Sequence, residues 1–316
     1  MAAPLFQRSD PAATAGEGAR LDVDALLALR HLARERPARH LGATTRPGGL
    51  VGRRKGPGLE IVDVRPFVAG DDIRHIDRNA TARTGTRHVR TFSEERERVT
   101  LLLADFSPDM LWGTRRALRS VAAAEALTVE GWRTLEAGGK AALLIHAAGE
   151  VAYVPPQGRE RGMARLLGRL ARAHDEALAA SRRAAVPAED GSALLLEAAL
   201  KAGPRGATVL LASGLDAAGP RFDRAALALM QRARLACLLV LDRFEIEPRA
   251  GLYPFLAPNG ARGIGSVEAG AQPPDPRIGR LERLGLPFAV VDAGLAAETA
   301  GRGVEERVDE RFARAR

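Results

Sequence analysis

Asp105, Ser107 and Asp109 follow the apolar run Val99-Thr-Leu-Leu-Leu-Ala104 at alternate positions, in the order Asp-Phe-Ser-Pro-Asp. Two carboxylates and a hydroxyl on one short segment can do three kinds of work. Asp105 and Asp109 could hold a magnesium ion for hydrolysis or phosphoryl transfer. The same oxygens could instead meet a partner's polar side chains. Ser107 could in principle be a nucleophile, but Pro108 and Asp109 supply no activating base, and no Gly-x-Ser-x-Gly elbow occurs. A second oxygen-bearing stretch, Ser213-Gly-Leu-Asp216, closes the apolar run Ala207 to Ala212.

These residues need a scaffold that brings them to one place. The continuous hydrophobicity of 99–104 suits a central strand of a parallel sheet covered on both faces. Pro108 ends that strand, and the Ala-rich stretch from Thr114 to Leu135 predicts a helix. The acidic segment is then a strand-to-helix loop, and in open α/β sheets ligands bind outside the carboxyl ends of strands. The remainder alternates in the same way. Strands are expected at 140–147, 151–155, 207–212, 235–241 and 287–291, and helices at 159–174, 192–202, 223–233 and 277–284. The first two of these strands form a hairpin through Ala148-Gly-Glu150, residues 242–274 read as irregular, and a helix closes the chain. The fold class is α/β, a doubly wound and mostly parallel sheet.

Ahead of the sheet lies a smaller β-rich unit. Leu59 to Phe67 and Thr86 to Phe92 read as strands flanking the polar connection 70–85. The expected organisation is a flexible tail at 1–20, a helix over 21–36 grouped with the β-rich unit as 21–98, the α/β domain at 99–300, and a C-terminal helix or tail at 301–316.

Composition narrows the function classes. A net charge of +8 over 316 residues is a mild excess. In the β-rich unit Arg65, Arg74, Arg83, Arg87 and Arg90 alternate with Glu60, Asp63, Asp71, Asp72 and Asp77, which suits internal ion pairs better than the unpaired cations a nucleic-acid surface needs. Arg53, Arg54 and Lys55 sit in a glycine-rich turn without the Gly-Lys-Ser/Thr ending of a P-loop. The six histidines show no zinc spacing, and the single cysteine, Cys237, lies in an apolar strand where packing is its role. No apolar run approaches the ~20 residues of a membrane span, and the first ten residues lack the order of a signal peptide, so a cytoplasmic location is expected.

The stretch Gly52-Arg-Arg-Lys-Gly-Pro-Gly-Leu-Glu-Ile-Val-Asp-Val-Arg-Pro-Phe-Val-Ala-Gly-Asp-Asp-Ile-Arg-His-Ile-Asp77, continued through Thr81 to Gly85 and Val89 to Glu95, closely resembles the bacterial domain-of-unknown-function 58 family. The resemblance covers roughly residues 45 to 250 and implies a von Willebrand factor A-like, Rossmann-type domain after the signature. It also implies a MoxR-type AAA+ ATPase as partner. In von Willebrand A domains an Asp-x-Ser-x-Ser loop, a later threonine and a later aspartate form a metal-ion-dependent adhesion site. Magnesium there keeps one position open for a partner's carboxylate. By this resemblance the candidate metal ligands are Asp105, Ser107, Asp109, Ser192 and Asp216, with Ser192 in the threonine's place. Asp109 replaces the second serine, Gly214 stands where the aspartate is expected, and Arg78 replaces a usual tryptophan. The site therefore reads as a degenerate one.

The expected function is a non-catalytic adaptor that meets its ATPase partner through Asp105, Asp109, Ser213 and Asp216, in complex maturation or remodelling. The alternatives are a metal-dependent hydrolase or phosphoryl-transfer enzyme using Asp105 and Asp109, and a scaffold whose metal-free interface is the β-rich unit.

Overall fold

A computed structural model describes residues 18–35, 59–94, 98–182, 190–256, 261–268 and 274–297. In chain order the elements are α1 (Val23–Ala28), α2 (Arg30–Glu35), β1 (Leu59–Pro66), α3 (Arg78–Thr84), β2 (His88–Glu94), β3 (Val99–Phe106), α4 (Arg119–Glu136), β4 (Lys140–Ala147) and β5 (Glu150–Gln157). They continue with α5 (Arg159–Ser181), α6 (Gly191–Ala202), β6 (Thr208–Ser213), α7 (Pro220–Met230), β7 (Arg234–Leu241), α8 (Arg243–Ile246), β8 (Gly251–Leu256), β9 (Arg262–Val267), α9 (Pro276–Leu284) and β10 (Phe288–Asp292).

Six strands form the main sheet in the order β10-β7-β6-β3-β4-β5. All neighbours are parallel except β5, which pairs antiparallel with β4 as the hairpin reading required. Counting only this sheet's strands, the order is 3-2-1-4-5-6, and the direction of winding reverses between β3 and β6. Ligands favour that reversal point. Successive residues of the central strands face opposite sides, and their burial sorts accordingly. Leu102, Ala104, Phe106, Leu143, Ile145, Leu210, Leu238 and Val240 join α1, α2, α4 and α5 in one core. Leu101, Leu103, Leu144, Val209, Leu211, Cys237 and Leu239 join α6, α7 and α9 in the other. Both faces are covered, so the strands carry no polar alternation. Cys237 is fully buried, and burial pushes its thiol well up, which keeps it protonated and inert.

By contacts, the described parts of Met1–Leu41 belong with Arg98–Arg316, and Gly42–Glu97 is a second unit. Arg98 thus opens the second segment of the larger unit. Leu26 and Ala33 enter the α/β core, so the helix read over 21–36 packs with that unit instead of with the β-rich one. It is also two short helices, the first ending at Leu29. Gly18 is not loose tail: its carbonyl accepts from the Leu118 N–H at 2.9 Å. The helix expected from Thr114 starts at Arg119, because the Thr114 N–H and hydroxyl are both held by the Asp242 carboxylate. The region read as irregular contains α8 and the antiparallel pair β8–β9. Residues 1–17, the glycine-rich basic turn at 53–55 and the C-terminal helix lie outside the described residues. Among the described residues no helix is long and apolar enough to cross a membrane.

The second unit is an antiparallel pair, β1 with β2, joined through α3. Asp77 caps α3 by accepting from the Asn79 and Ala80 N–H groups at 3.0 and 2.9 Å, and Gly85 ends it in the left-handed region at φ 72°. Arg65 grips Asp71 through two hydrogen bonds, at 2.9 and 2.6 Å, and Arg90 holds Asp77 at 2.8 Å. These are two of the ion pairs that the charge alternation predicts. Arg78 is exposed on the first turn of α3, so an arginine there costs this unit no core packing.

Candidate functional site

The carboxyl end of β3 fixes the first oxygen. Asp105 stands opposite His146 of β4, while the next strand on the other side, β6, ends in Ser213. Asp105 is almost fully buried, at 4 % exposure, and every donor it needs is present. Its Oδ1 accepts from the Ser107 N–H at 3.0 Å and from the Ser107 hydroxyl, and its Oδ2 accepts from the Ser213 hydroxyl at 2.6 Å. His146 Nδ1 lies 3.5 Å from Oδ1 and 3.2 Å from the Ser107 hydroxyl. Burial pushes the Asp105 carboxyl up, but His146, Ser107 and Ser213 together outweigh it and hold the carboxyl below its ordinary value.

Asp105→Ala leaves a buried amide and two buried hydroxyls without their acceptor. The expected loss of stability is about 2 kcal/mol, read as a shift in urea midpoint at neutral pH; an unchanged midpoint would show that the carboxylate is not a structural acceptor.

Asp109 sits in the short 3-10 turn Pro108–Met110 and is half-buried. Its carboxyl is raised by burial first and then by the nearby negative charges of Asp216 and Asp105, with Arg119 pulling the other way. Asp190 caps α6: Oδ1 accepts from the Ser192 hydroxyl at 2.6 Å and the Ala193 N–H at 2.9 Å, and Oδ2 from the Gly219 N–H at 3.3 Å. All six residues that the sequence singled out, Asp105, Ser107, Asp109, Ser192, Ser213 and Asp216, border one small cleft. Asp190, a lining residue missed in the sequence, was findable: an Asp two residues before a helix-side serine and ahead of an apolar stretch is a capping signal.

Asp216 is committed elsewhere. It accepts from Arg119 Nη2 at 2.7 Å and from Arg277 Nη1 at 3.1 Å. Arg119 is 1 % exposed and also donates to the carbonyls of Val240 and Asp109, at 3.0 and 3.2 Å. Arg277 further reaches the Gly214 carbonyl at 3.3 Å and Glu245 at 2.9 Å. A Cβ at Gly214 would lie 1.4 Å from Arg119 Nη2, so the guanidinium fills the place into which a side chain at 214 would project. Neither arginine was singled out from the sequence, since an arginine opening an Ala-rich helix looks like any other.

This donor set does not fit a magnesium ion as the resemblance implies it. Magnesium demands a near-octahedral shell of oxygens. Here the later aspartate is a glycine backed by a guanidinium, Asp216 is paired to two arginines, and Asp105 and Asp190 are already satisfied by hydroxyls and amides. Among the described residues no three His, Cys, Asp or Glu side chains converge as metal ligands.

The family model "Protein of unknown function DUF58" matches residues 63–264, more than half of the chain. The chain belongs to the DUF58 family. Among curated proteins, uncharacterized protein Mb1516 of Mycobacterium bovis and uncharacterized protein Rv1480 of Mycobacterium tuberculosis are each 41 % identical to it over 85 residues, 26 % of this chain and 26 % of theirs. The aligned stretch thus spans about a quarter of those relatives' length. Among solved structures, the conserved hypothetical protein BatB from Bacteroides thetaiotaomicron aligns with a TM-score of 0.41 at 13 % identity, over 68 % of this chain and 98 % of that one. The family match includes the β3 loop, β6 and Asp216, so the cleft lies within the DUF58 region.

Proposed function

We propose that this DUF58 protein is a non-catalytic adaptor that docks a partner protein at the cleft beyond the carboxyl ends of β3 and β6. The observation that carries this reading is the convergence of oxygen-bearing side chains from three separate loops at the reversal point of the sheet. We read the six-stranded domain as von Willebrand A-like, with a degenerate adhesion site, and the partner as a MoxR-type AAA+ ATPase acting with it in the cytoplasm.

The chemistry of the cleft favours binding over turnover. A catalytic histidine uses one ring nitrogen toward the nucleophile and the other toward an orienting acid. His146 turns the same nitrogen, Nδ1, toward both Ser107 and Asp105, and its buried Nε2 has no hydrogen-bond partner among the described residues. Ser107 donates to Asp105, so its hydroxyl is spent on structure.

Asp109→Asn is the direct test, because Asp109 borders the cleft without supporting the core. In a pull-down with the MoxR-type ATPase of the same genome, the variant should recover at least about tenfold less partner, the scale of one lost charged contact. Equal recovery by a variant with native circular dichroism would sink the reading.

A second reading has its own observation. Val68 and Ile73 of the Gly42–Glu97 unit are 60 % and 68 % exposed, an apolar pair in a position to meet a partner. Val68→Asp with Ile73→Asp should leave binding intact if the cleft docks the partner, and should abolish it if this unit is the interface.

A further inference from the structure

We propose that the Arg119 guanidinium, buried behind the cleft and not part of its lining, is the resident cation that ties the bordering loops together in place of a divalent metal. The inference rests on the adhesion-site reading of the cleft, and goes beyond it by naming what holds the loops when the metal's ligand set is broken.

A metal in such a site does two things: it gathers oxygens from separate segments, and it neutralises the carboxylates among them. Arg119 does both from the first turn of α4. Its three nitrogens donate to the Asp216 carboxylate at 2.7 Å, the Asp109 carbonyl at 3.2 Å and the Val240 carbonyl at 3.0 Å. Glu245 Oε2 stands 3.6 Å from Nε. These oxygens come from the loop after β3, the loop after β6, β7 and α8. A guanidinium is suited to that task, since it is always charged and presents its donors in a fixed plane. The Trp112 ring, 5.5 Å from the guanidinium carbon, adds cation–π contact on that plane.

Gly214 is the matching half of the arrangement. Nη2 occupies the space a Cβ would take there, so an aspartate at 214 would require the Arg119 guanidinium to leave its present position. Of the departures from the adhesion-site pattern, Gly214 in place of an aspartate and the pairing of Asp216 with Arg119 are one substitution in physical terms: an internal cation has displaced the ligand that an external one would need. A second cation brought to Asp216 would also face the like charge of Arg277, which shares that carboxylate at 3.1 Å.

The test is a calorimetric titration of the full chain with Mg²⁺ and with Mn²⁺, alongside Gly214→Asp combined with Arg119→Met and Gly214→Asp combined with Arg119→Gln. The wild type should show no saturable binding at millimolar ion. The Arg119→Met pair should bind Mn²⁺ at least tenfold more tightly than the wild-type background. If the Arg119→Met pair lacks native circular dichroism, the Arg119→Gln pair, which keeps a neutral donor near Asp216, is read in the same way. Saturable wild-type binding that Asp105→Ala abolishes would overturn the proposal, and so would a folded variant as silent as the wild type. The titration needs no partner, so its failure is separable from failure of the docking reading. In the pull-down, equal recovery with chelator and with Mg²⁺ is expected, and Mg²⁺-dependent recovery would overturn the resident-cation proposal alone.

Discussion

Arg119→Met should lower the unfolding free energy by about 3 kcal/mol. Methionine nearly fills the volume, so the loss is one of charge and hydrogen bonding and not of packing. Removing one partner of a buried ion pair costs about 3 to 5 kcal/mol, because the other partner is left buried and unpaired. The lower end applies, since the Asp216 side chain keeps 31 % exposure and its second arginine, Arg277. Val240 has no such relief: it is fully buried and loses the donor to its carbonyl. Arg277→Met is the control. Its side chain is 17 % exposed against 1 % for Arg119, and Asp216 and Glu245 would each retain Arg119 nearby, so a smaller loss of about 1 kcal/mol is expected. Urea denaturation followed by circular dichroism measures both. Equal midpoints for wild type and Arg119→Met would mean that the cross-link is dispensable.

The central strands were legible because they are buried on both faces. Leu101 to Ala104, Leu143 to Ile145, Val209 to Ala212 and Leu235 to Val240 are apolar at every position, a pattern that only a covered parallel sheet requires. What escaped was decided by distant contacts or by too little burial. The late start of α4 depends on Asp242, 128 residues from Thr114. The β8–β9 pair has little core to report on: Leu252 and Ile264 are 73 % and 72 % exposed, and Phe255 lies over Gly263 and Gly265, so no strand-like alternation appears in the sequence.

The site divides in the same way. Asp105, Ser107 and Ser213 end apolar runs and so announce a strand's carboxyl end. The roles of Asp216 and Gly214 were hidden, since both are set by Arg119, 97 residues from Asp216 along the chain. An aspartate in a loop can ligate an ion or neutralise an internal arginine, and its own neighbours do not say which.

His174 should make the protein acid-sensitive in a window separate from that of its carboxylates. The side chain is fully buried, with Nε2 2.9 Å from the Ser120 hydroxyl, its ring edge-on to Phe106 at 5.1 Å, and Nδ1 buried without a partner among the described residues. Burial pushes its pKa down to about 4, with Asp175 opposing and Arg20 adding to the shift. In the unfolded chain the value is about 6.5. Between these values the unfolded chain binds a proton that the folded one refuses, so stability is complete above about pH 6.5 and falls as pH drops toward 4. At about 1.4 kcal/mol per pH unit the full loss is about 3.5 kcal/mol, of which about 2 kcal/mol falls between pH 7 and pH 5. Asp105 acts lower: its carboxyl is held below the ordinary value, so its contribution is present above that value and lost only as pH falls through the depressed one. Urea midpoints of wild type and His174→Gln at pH 7 and pH 5 isolate the histidine, because the other titrating groups are common to both. The wild type should lose about 2 kcal/mol more than the variant across that interval. Equal losses would mean that the folded protein protonates His174 as readily as the unfolded chain does, and that the packing of α5 against α4 and Phe106 admits the charge.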